Sequence, residues 1–187
     1  MQIILDQIES ILPWDSTEDF HLRDCVEWIQ SGAPIFRIKK PDVPNQHLVS
    51  YSALIDPHEK EILLVEHKNA ELWLPCGGHV ELNEDPKISA QRELAEELNI
   101  LPVLLFEKPI FITKAVTVGH TAGHTDVSLW YIFKGERKIP LNFDKNEFHS
   151  VRWFHFDEIP LEKSDPNMAR FIAKLKHFLE NNDEWSH

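Results

Sequence analysis

Glu93, Glu96 and Glu97 follow one another at offsets of three and four residues, the offsets that bring side chains together along one side of a helix. Left alone, like charges so placed destabilise the helix that carries them. A divalent cation reverses that penalty. A hard ion such as Mg²⁺ takes oxygen ligands and is usually held by one or two carboxylates together with water and substrate phosphates. The alternative for the same residues is an acidic face turned to solvent, where glutamate is common.

The surrounding residues favour the cation site. Asp85 can cap the free amides of a helix, and Pro86 suits the first helical position because its missing N–H would have had no helical partner. At about 100° per residue, Ile88, Gln91, Leu94, Ala95 and Leu98 gather on one side as a core face, with Glu93, Glu96 and Glu97 on the other. The helix is entered through Gly77-Gly78, a pair that permits backbone conformations closed to other residues and leaves carbonyl and amide groups open to a ligand. Glu84, just before the helix, adds a fourth carboxylate.

The stretch from Gly77 to Ile100 resembles the signature box of the Nudix hydrolases. Gly78, Glu84, Arg92, Glu93, Leu94, Glu96, Glu97 and Ile100 occupy the places of that signature, and Asn99 stands where the family has Gly. Asn is the residue after Gly that best tolerates a left-handed backbone at a helix end, so the exchange is conservative. The resemblance implies an α/β fold, a Nudix-like α/β/α sandwich with a mixed sheet, here with an added N-terminal helical segment. It also implies hydrolysis of a nucleoside diphosphate linked to another moiety, with Mg²⁺ or Mn²⁺ as cofactor. Glu93 and Glu97 are then the leading metal ligands, Glu96 shares ligation or water activation, the Gly78 carbonyl completes the shell, and Glu84 ligates or orients. Arg92 holds the cluster and loop by directional hydrogen bonds, or is a simple surface ion pair. Many family members add a carboxylate from a distant loop, for which Glu147 is the candidate, with Asp144 and Asp126 as alternatives. ADP-ribose and similar nucleotide sugars are the first substrate class. The alternatives are a nucleoside triphosphate and a non-catalytic nucleotide-binding module.

Composition constrains the partners. A chain of 187 residues, 42% hydrophobic, can bury a substantial single core. Its formal charge of −12 argues against general nucleic-acid binding, which would need a basic stripe. Cys25 and Cys76 form no disulfide framework and no CxxC pair. No segment has signal-peptide form or membrane-spanning length, so a cytoplasmic setting is the expectation.

The remaining elements must position the box. Residues 1–45 read as a helical extension and linker, with helical spacing at Ile4, Ile8, Ile11 and Leu12, a second helix from Phe20 to Ile29, and a short extended piece at Ile35 to Ile38 before Pro41 and Pro44. This piece could cap the sheet, shape the pocket mouth or pack across a homodimer. Residues 46–187 read as the catalytic domain. Strands are expected at His47 to Ile55 and Glu61 to His67 joined as a hairpin, then at Val103 to Thr113, Val127 to Phe133 and Val151 to Phe156, with a closing helix from Pro166 to Leu179 and a charged tail from Glu180. Cys76 reads as a buried structural thiol. His79, His120 and His124 lie near the expected site, with Asp126 beside them, yet the sequence assembles no closed set of zinc ligands. Trp73, Trp130, Tyr131 and Trp153 are core residues or walls for base stacking.

Overall fold

The structure is a computed structural model that describes residues 1–39, 43–138 and 140–181. Its strands are β1 (Gln46–Asp56), β2 (Glu61–His67), β3 (Leu72–Leu74), β4 (Cys76–His79), β5 (Phe111–Val116), β6 (Thr125–Lys134) and β7 (Phe148–His155). Its α-helices are α1 (Gln2–Glu9), α2 (Ser16–Gln30), α3 (Pro86–Leu98) and α4 (Met168–Glu180). The seven strands form one mixed sheet in the order β3-β2-β1-β6-β5, with β4 paired to β1 and β7 paired to β2. Helices cover both faces, which makes the α/β/α sandwich expected from the sequence.

Strand β1 organises the sheet. It runs parallel to β6 from Gln46↔Thr125 to Ile55↔Lys134. Its other edge is divided, with β4 along Val49 to Ser52 and β2 at Ile55 and Asp56. Because side chains alternate across a strand, β1 feeds two cores. Leu48 and Leu54 belong to the one that holds Ala90, Leu94 and Leu98 of α3, whereas Ala53 and Ile55 join Met168, Phe171, Ile172 and Leu175 of α4. On the α3 side the hydroxyls of Ser50 and Ser52 donate to the carbonyls of Pro86 and Ala90, at 2.7 and 2.8 Å. These buried bonds fix the height of α3 on the sheet, because a buried hydroxyl without its partner would cost more than an apolar side chain.

The N-terminal helices are built into this sandwich. Ile4, Ile8, Cys25 and Ile29 join the core under α3. Gln7 donates to Asp85 Oδ1 at 2.8 Å and accepts from the Tyr131 hydroxyl, linking α1 to the start of α3 and to β6. Glu18 of α2, fully buried, is gripped by the equally buried Lys174 of α4 at 2.8 and 3.0 Å and accepts from the Ile112 amide.

Several local expectations are revised. Helix α1 ends at Glu9, although Ile11 is buried beyond it. Residues Ile35 to Ile38 form no strand and touch the sheet where the Leu48 amide donates to the Ile35 carbonyl. The strand expected from Val103 begins only at Phe111, after a single bridge between Leu104 and Phe133. Pro102 and Pro109 flank this irregular stretch, and proline cannot donate to a ladder. Trp130 and Tyr131 are fully buried, which makes them core and removes them as stacking walls. Pro41 of the expected linker, and residues 182–187 of the expected tail, lie outside the described residues.

The Glu18–Lys174 pair supplies the first prediction. Removing one partner of a buried ion pair strands the other charge and costs about 3–5 kcal/mol. Glu18→Ala is therefore expected to lower the unfolding free energy by that amount in urea titration. A loss below about 1 kcal/mol, as for a solvated pair, would contradict the burial.

Candidate active site

Helix α3 starts and ends on local signals. Asp85 accepts from the Lys87 amide at 2.8 Å, Pro86 takes the first position, and Asn99 closes the helix in the left-handed region at φ 52°, ψ 40°. Its facing differs from the simple wheel. Ser89, Ala90, Leu94, Glu97 and Leu98 are buried, whereas Ile88 is half exposed and Ala95 is exposed. Glu97 therefore does not share a solvent face with Glu96. It is turned against β4, with Glu93 one helical turn before it, while Glu96 lies further round toward water.

Arg92 binds three of the four predicted carboxylates. Its Nε and Nη2 donate to the two oxygens of Glu84 at 2.9 and 3.0 Å, and its Nη1 donates to Glu93 at 2.7 Å and Glu96 at 3.2 Å. A forked, two-point bond of this kind is specific to the planar guanidinium. Burial works against the charge on Glu84, but the Arg92 hydrogen bonds outweigh it and hold that carboxyl below its ordinary range. Burial pushes Glu93 the other way, upward, with Arg92 opposing. Arg92 also reaches the His79 carbonyl at 3.4 Å, which ties the helix to the end of β4.

Gly78 has a steric reason to be glycine. A Cβ there would lie 2.6 Å from the Glu93 carboxyl carbon and from one of its oxygens, so the carboxylate rests directly on the backbone of this residue. Beside it, Glu97 Oε2 accepts from the buried Cys76 thiol at 2.8 Å. Burial drives Glu97 up to about 9; the Cys76 hydrogen bond opposes this, while the negative charges of Glu93 and Glu147 reinforce it. Burial likewise pushes the Cys76 thiol well above its ordinary value, and Glu97 adds to the effect. The thiol is thus a neutral donor to Glu97, a partnership with no sequence signal of its own.

Glu147 precedes β7 and lies on the turn that contacts this helix. The Asp144 amide donates to the Glu97 carbonyl, and the Lys68 amide to the Glu147 carbonyl, each at 2.9 Å. Its charge acts on both Glu93 and Glu97. The Asp144 side chain instead accepts from the Asn146 amide at 2.7 Å. Asp126 lies in a different group: His47, His79, His124 and Asp126 have potential ligand atoms that all lie within 4.8 Å of one another. His120, in contrast, is exposed beside Glu71. A separate cleft of about 440 Å³, lined by Glu61, Arg137 and Arg152, sits at the far end of β2 and β7 from Glu147 and is not part of this site.

A model of the NUDIX domain matches residues 46–175. The chain belongs to the Nudix family. No curated protein sequence matches it. Among solved structures it is similar to a MutT Nudix hydrolase from Burkholderia pseudomallei, at 21% identity over 70% of this chain and 98% of that one, with a TM-score of 0.53. It is also similar to the Escherichia coli dihydroneopterin triphosphate pyrophosphohydrolase, at 13% identity over 67% and 94%, TM-score 0.52. A Caenorhabditis elegans Ap4A hydrolase is 19% identical over 73% and 98%, TM-score 0.51. At these identities the likeness is one of fold. As a Nudix hydrolase, the chain is an enzyme of phosphoanhydride bonds, acting on a nucleoside diphosphate linked to a further group. Among the described residues no helix is long and apolar enough to cross a membrane.

The buried carboxyl sets a pH dependence in the metal-free Nudix chain. Unfolded, Glu97 loses its proton near 4.5; folded, it keeps it to about 9. The folded chain then holds the extra proton between those values, so the contribution of Glu97 to stability falls as pH rises through this window, by up to about 1.4 kcal/mol per pH unit. Glu97→Gln, which stays neutral, is expected to flatten the stability profile between about pH 6 and about pH 8 relative to wild type. Parallel profiles for the two proteins would show that Glu97 is ionised throughout.

Proposed function

We propose that this enzyme cleaves the pyrophosphate of ADP-ribose or a related nucleotide sugar, with Mg²⁺ or Mn²⁺ held by Glu93, Glu97 and the Gly78 carbonyl and with Glu84 and Glu96 completing or orienting the set. The observation that carries the reading is the contact of the Glu93 carboxyl with the Gly78 backbone, where a single added carbon would collide with it. The donors fit a hard ion: they are carboxylate and carbonyl oxygens, gathered where like charges accumulate. When bound there, such an ion offsets the charge of the pyrophosphate and lowers the pKa of a coordinated water.

The protein side of the reaction divides among named residues. Arg92 orients Glu84, Glu93 and Glu96 by directional bonds and keeps the loop after β4 against α3. Glu97 must surrender its proton to become a ligand, so ion uptake is coupled to proton release and strengthens as pH rises toward about 9. Glu147, exposed and next to Glu97, is the base that takes a proton from the attacking water. Residues 46–187 hold all of these groups, and Gln7 of α1 braces the start of α3.

Two substitutions and one panel test the reading. Glu97→Gln is expected to abolish metal-dependent turnover in a protein that remains folded by circular dichroism. Glu147→Gln is expected to reduce kcat by tenfold or more, the usual contribution of a positioned base; unchanged turnover would remove Glu147 from the reaction. With Mg²⁺ or Mn²⁺ and a nucleotide panel, mass analysis of products is expected to find AMP and ribose 5-phosphate from ADP-ribose. Release of a nucleoside monophosphate and pyrophosphate would transfer the assignment to triphosphates, the substrate class named for the similar Escherichia coli structure. Binding without cleavage of any panel member would make the chain a nucleotide-binding module.

A further inference from the structure

Three adjacent strands bring an imidazole and carboxylate cluster together on the sheet face opposite α3. His47 of β1 sits directly beside Asp126 of β6, and His79, the last residue of β4, pairs with Val49 two positions along β1. Alternation puts Cys76 and Gly78 on the α3 side of β4 and His79 on the other. His124, just before β6, closes the group. The imidazole centroids of His47 lie 4.6 Å from His79 and 4.9 Å from His124. His47 is fully buried and His124 nearly so.

The hydrogen bonds around the cluster decide which ring nitrogens face inward. His47 Nδ1 lies 2.9 Å from the Pro44 carbonyl, which only accepts, so Nδ1 carries the proton and donates. The Thr117 hydroxyl lies 3.2 Å from the His124 carbonyl and 3.1 Å from His124 Nδ1, which engages that nitrogen outside the cluster. With Nδ1 engaged outside the cluster, each ring turns its Nε2 toward the centre. There they meet Asp126 Oδ1, at 3.2 Å from His47 and 3.3 Å from His124. Neither His47 Nε2 nor Asp126 Oδ1 makes a hydrogen bond among the described residues despite that proximity. A buried ring nitrogen and carboxylate oxygen left without hydrogen bonds carry a desolvation cost that a bound cation would offset.

We propose that His47, His79, His124 and Asp126 form a structural zinc site, separate from the glutamate site of α3. Neutral imidazoles and one carboxylate are zinc donors, whereas Mg²⁺ prefers an all-oxygen shell. Ligands at the usual zinc distances sit about 3.3 Å apart in a tetrahedron, the separation found between Asp126 and the two histidines. The remaining ligand atoms, no more than 4.8 Å apart, need to close by roughly 1.5 Å at most to reach the same geometry. The Nδ1 bonds to Pro44 and Thr117 are the outer contacts that orient zinc-bound histidines. Four protein ligands leave no open position for substrate, which marks the site as structural. Its effect is to pin the end of β4, and with it the backbone of Gly78, to the starts of β1 and β6.

The full chain, purified without a histidine tag and dialysed against buffer containing Mg²⁺, tests this by elemental analysis. The expected result is one zinc ion per chain, retained by Glu97→Gln and lost in His47→Gln and Asp126→Asn. Should those variants fail to fold, the wild-type chain decides the matter. After chelation and reconstitution with Co²⁺ it is expected to show the intense visible bands of a tetrahedral ion, and its melting temperature to be restored by Zn²⁺ and not by Mg²⁺. Absence of zinc together with no saturable Zn²⁺ uptake by the metal-free chain in calorimetry would overturn the proposal. So would an octahedral Co²⁺ spectrum, or equal zinc retention by folded His47→Gln. None of these outcomes bears on the glutamate site, whose assay uses different residues and a different ion.

Discussion

The structure depends on keeping several carboxylates together in a place that water reaches poorly. Glu93 and Glu97 face a strand that offers them a glycine backbone and a thiol in place of solvent. Two devices make this tolerable. Arg92 supplies one positive charge to Glu84, Glu93 and Glu96, and Glu97 holds its proton. On the proposed reading both stand in for a cation, and both leave oxygen atoms that a divalent ion would take up.

That arrangement requires α3 to sit at a set height and rotation over β4. The serine hydroxyls of β1 hold two carbonyls of the helix, Asp85 caps its start, and Gln7 ties that cap to α1 and to the Tyr131 hydroxyl. Helix α1 thus acts on α3 through its first turn. Strand β1 is the common reference: one face carries the serines that position α3, and the other carries His47 beside the end of β4.

What could be read from the sequence follows from how local each signal is. The bounds of α3 were legible because Asp85, Pro86 and Asn99 act within one turn of themselves. The association of Glu147 with the glutamates was legible only through family resemblance, since its proximity arises from the pairing of β7 with β2. The burial of Glu97 was not legible: a helical wheel sorts residues by type, and a carboxyl turned inward looks the same as one turned outward until the neighbouring strand is placed. The role of Cys76 as a donor to Glu97 has the same origin. His47 was invisible as a ligand because it reads as an interior strand residue, and only the β1–β6 and β1–β4 registers bring it to Asp126 and His79. The late start of β5 reflects Pro102 and Pro109, whose effect on pairing the apolar pattern from Val103 onward conceals.

Crystals grown with Mn²⁺ and measured near the manganese absorption edge test the central claim most directly, because the anomalous signal locates the ion without reference to activity. The account predicts a peak at coordination distance from the Glu93 and Glu97 carboxylates and the Gly78 carbonyl, with Arg92 still bound to Glu84. A map in which no Mn²⁺ lies among those residues, while Glu97 keeps its contact with Cys76 and Glu93 its contact with Arg92, would contradict it.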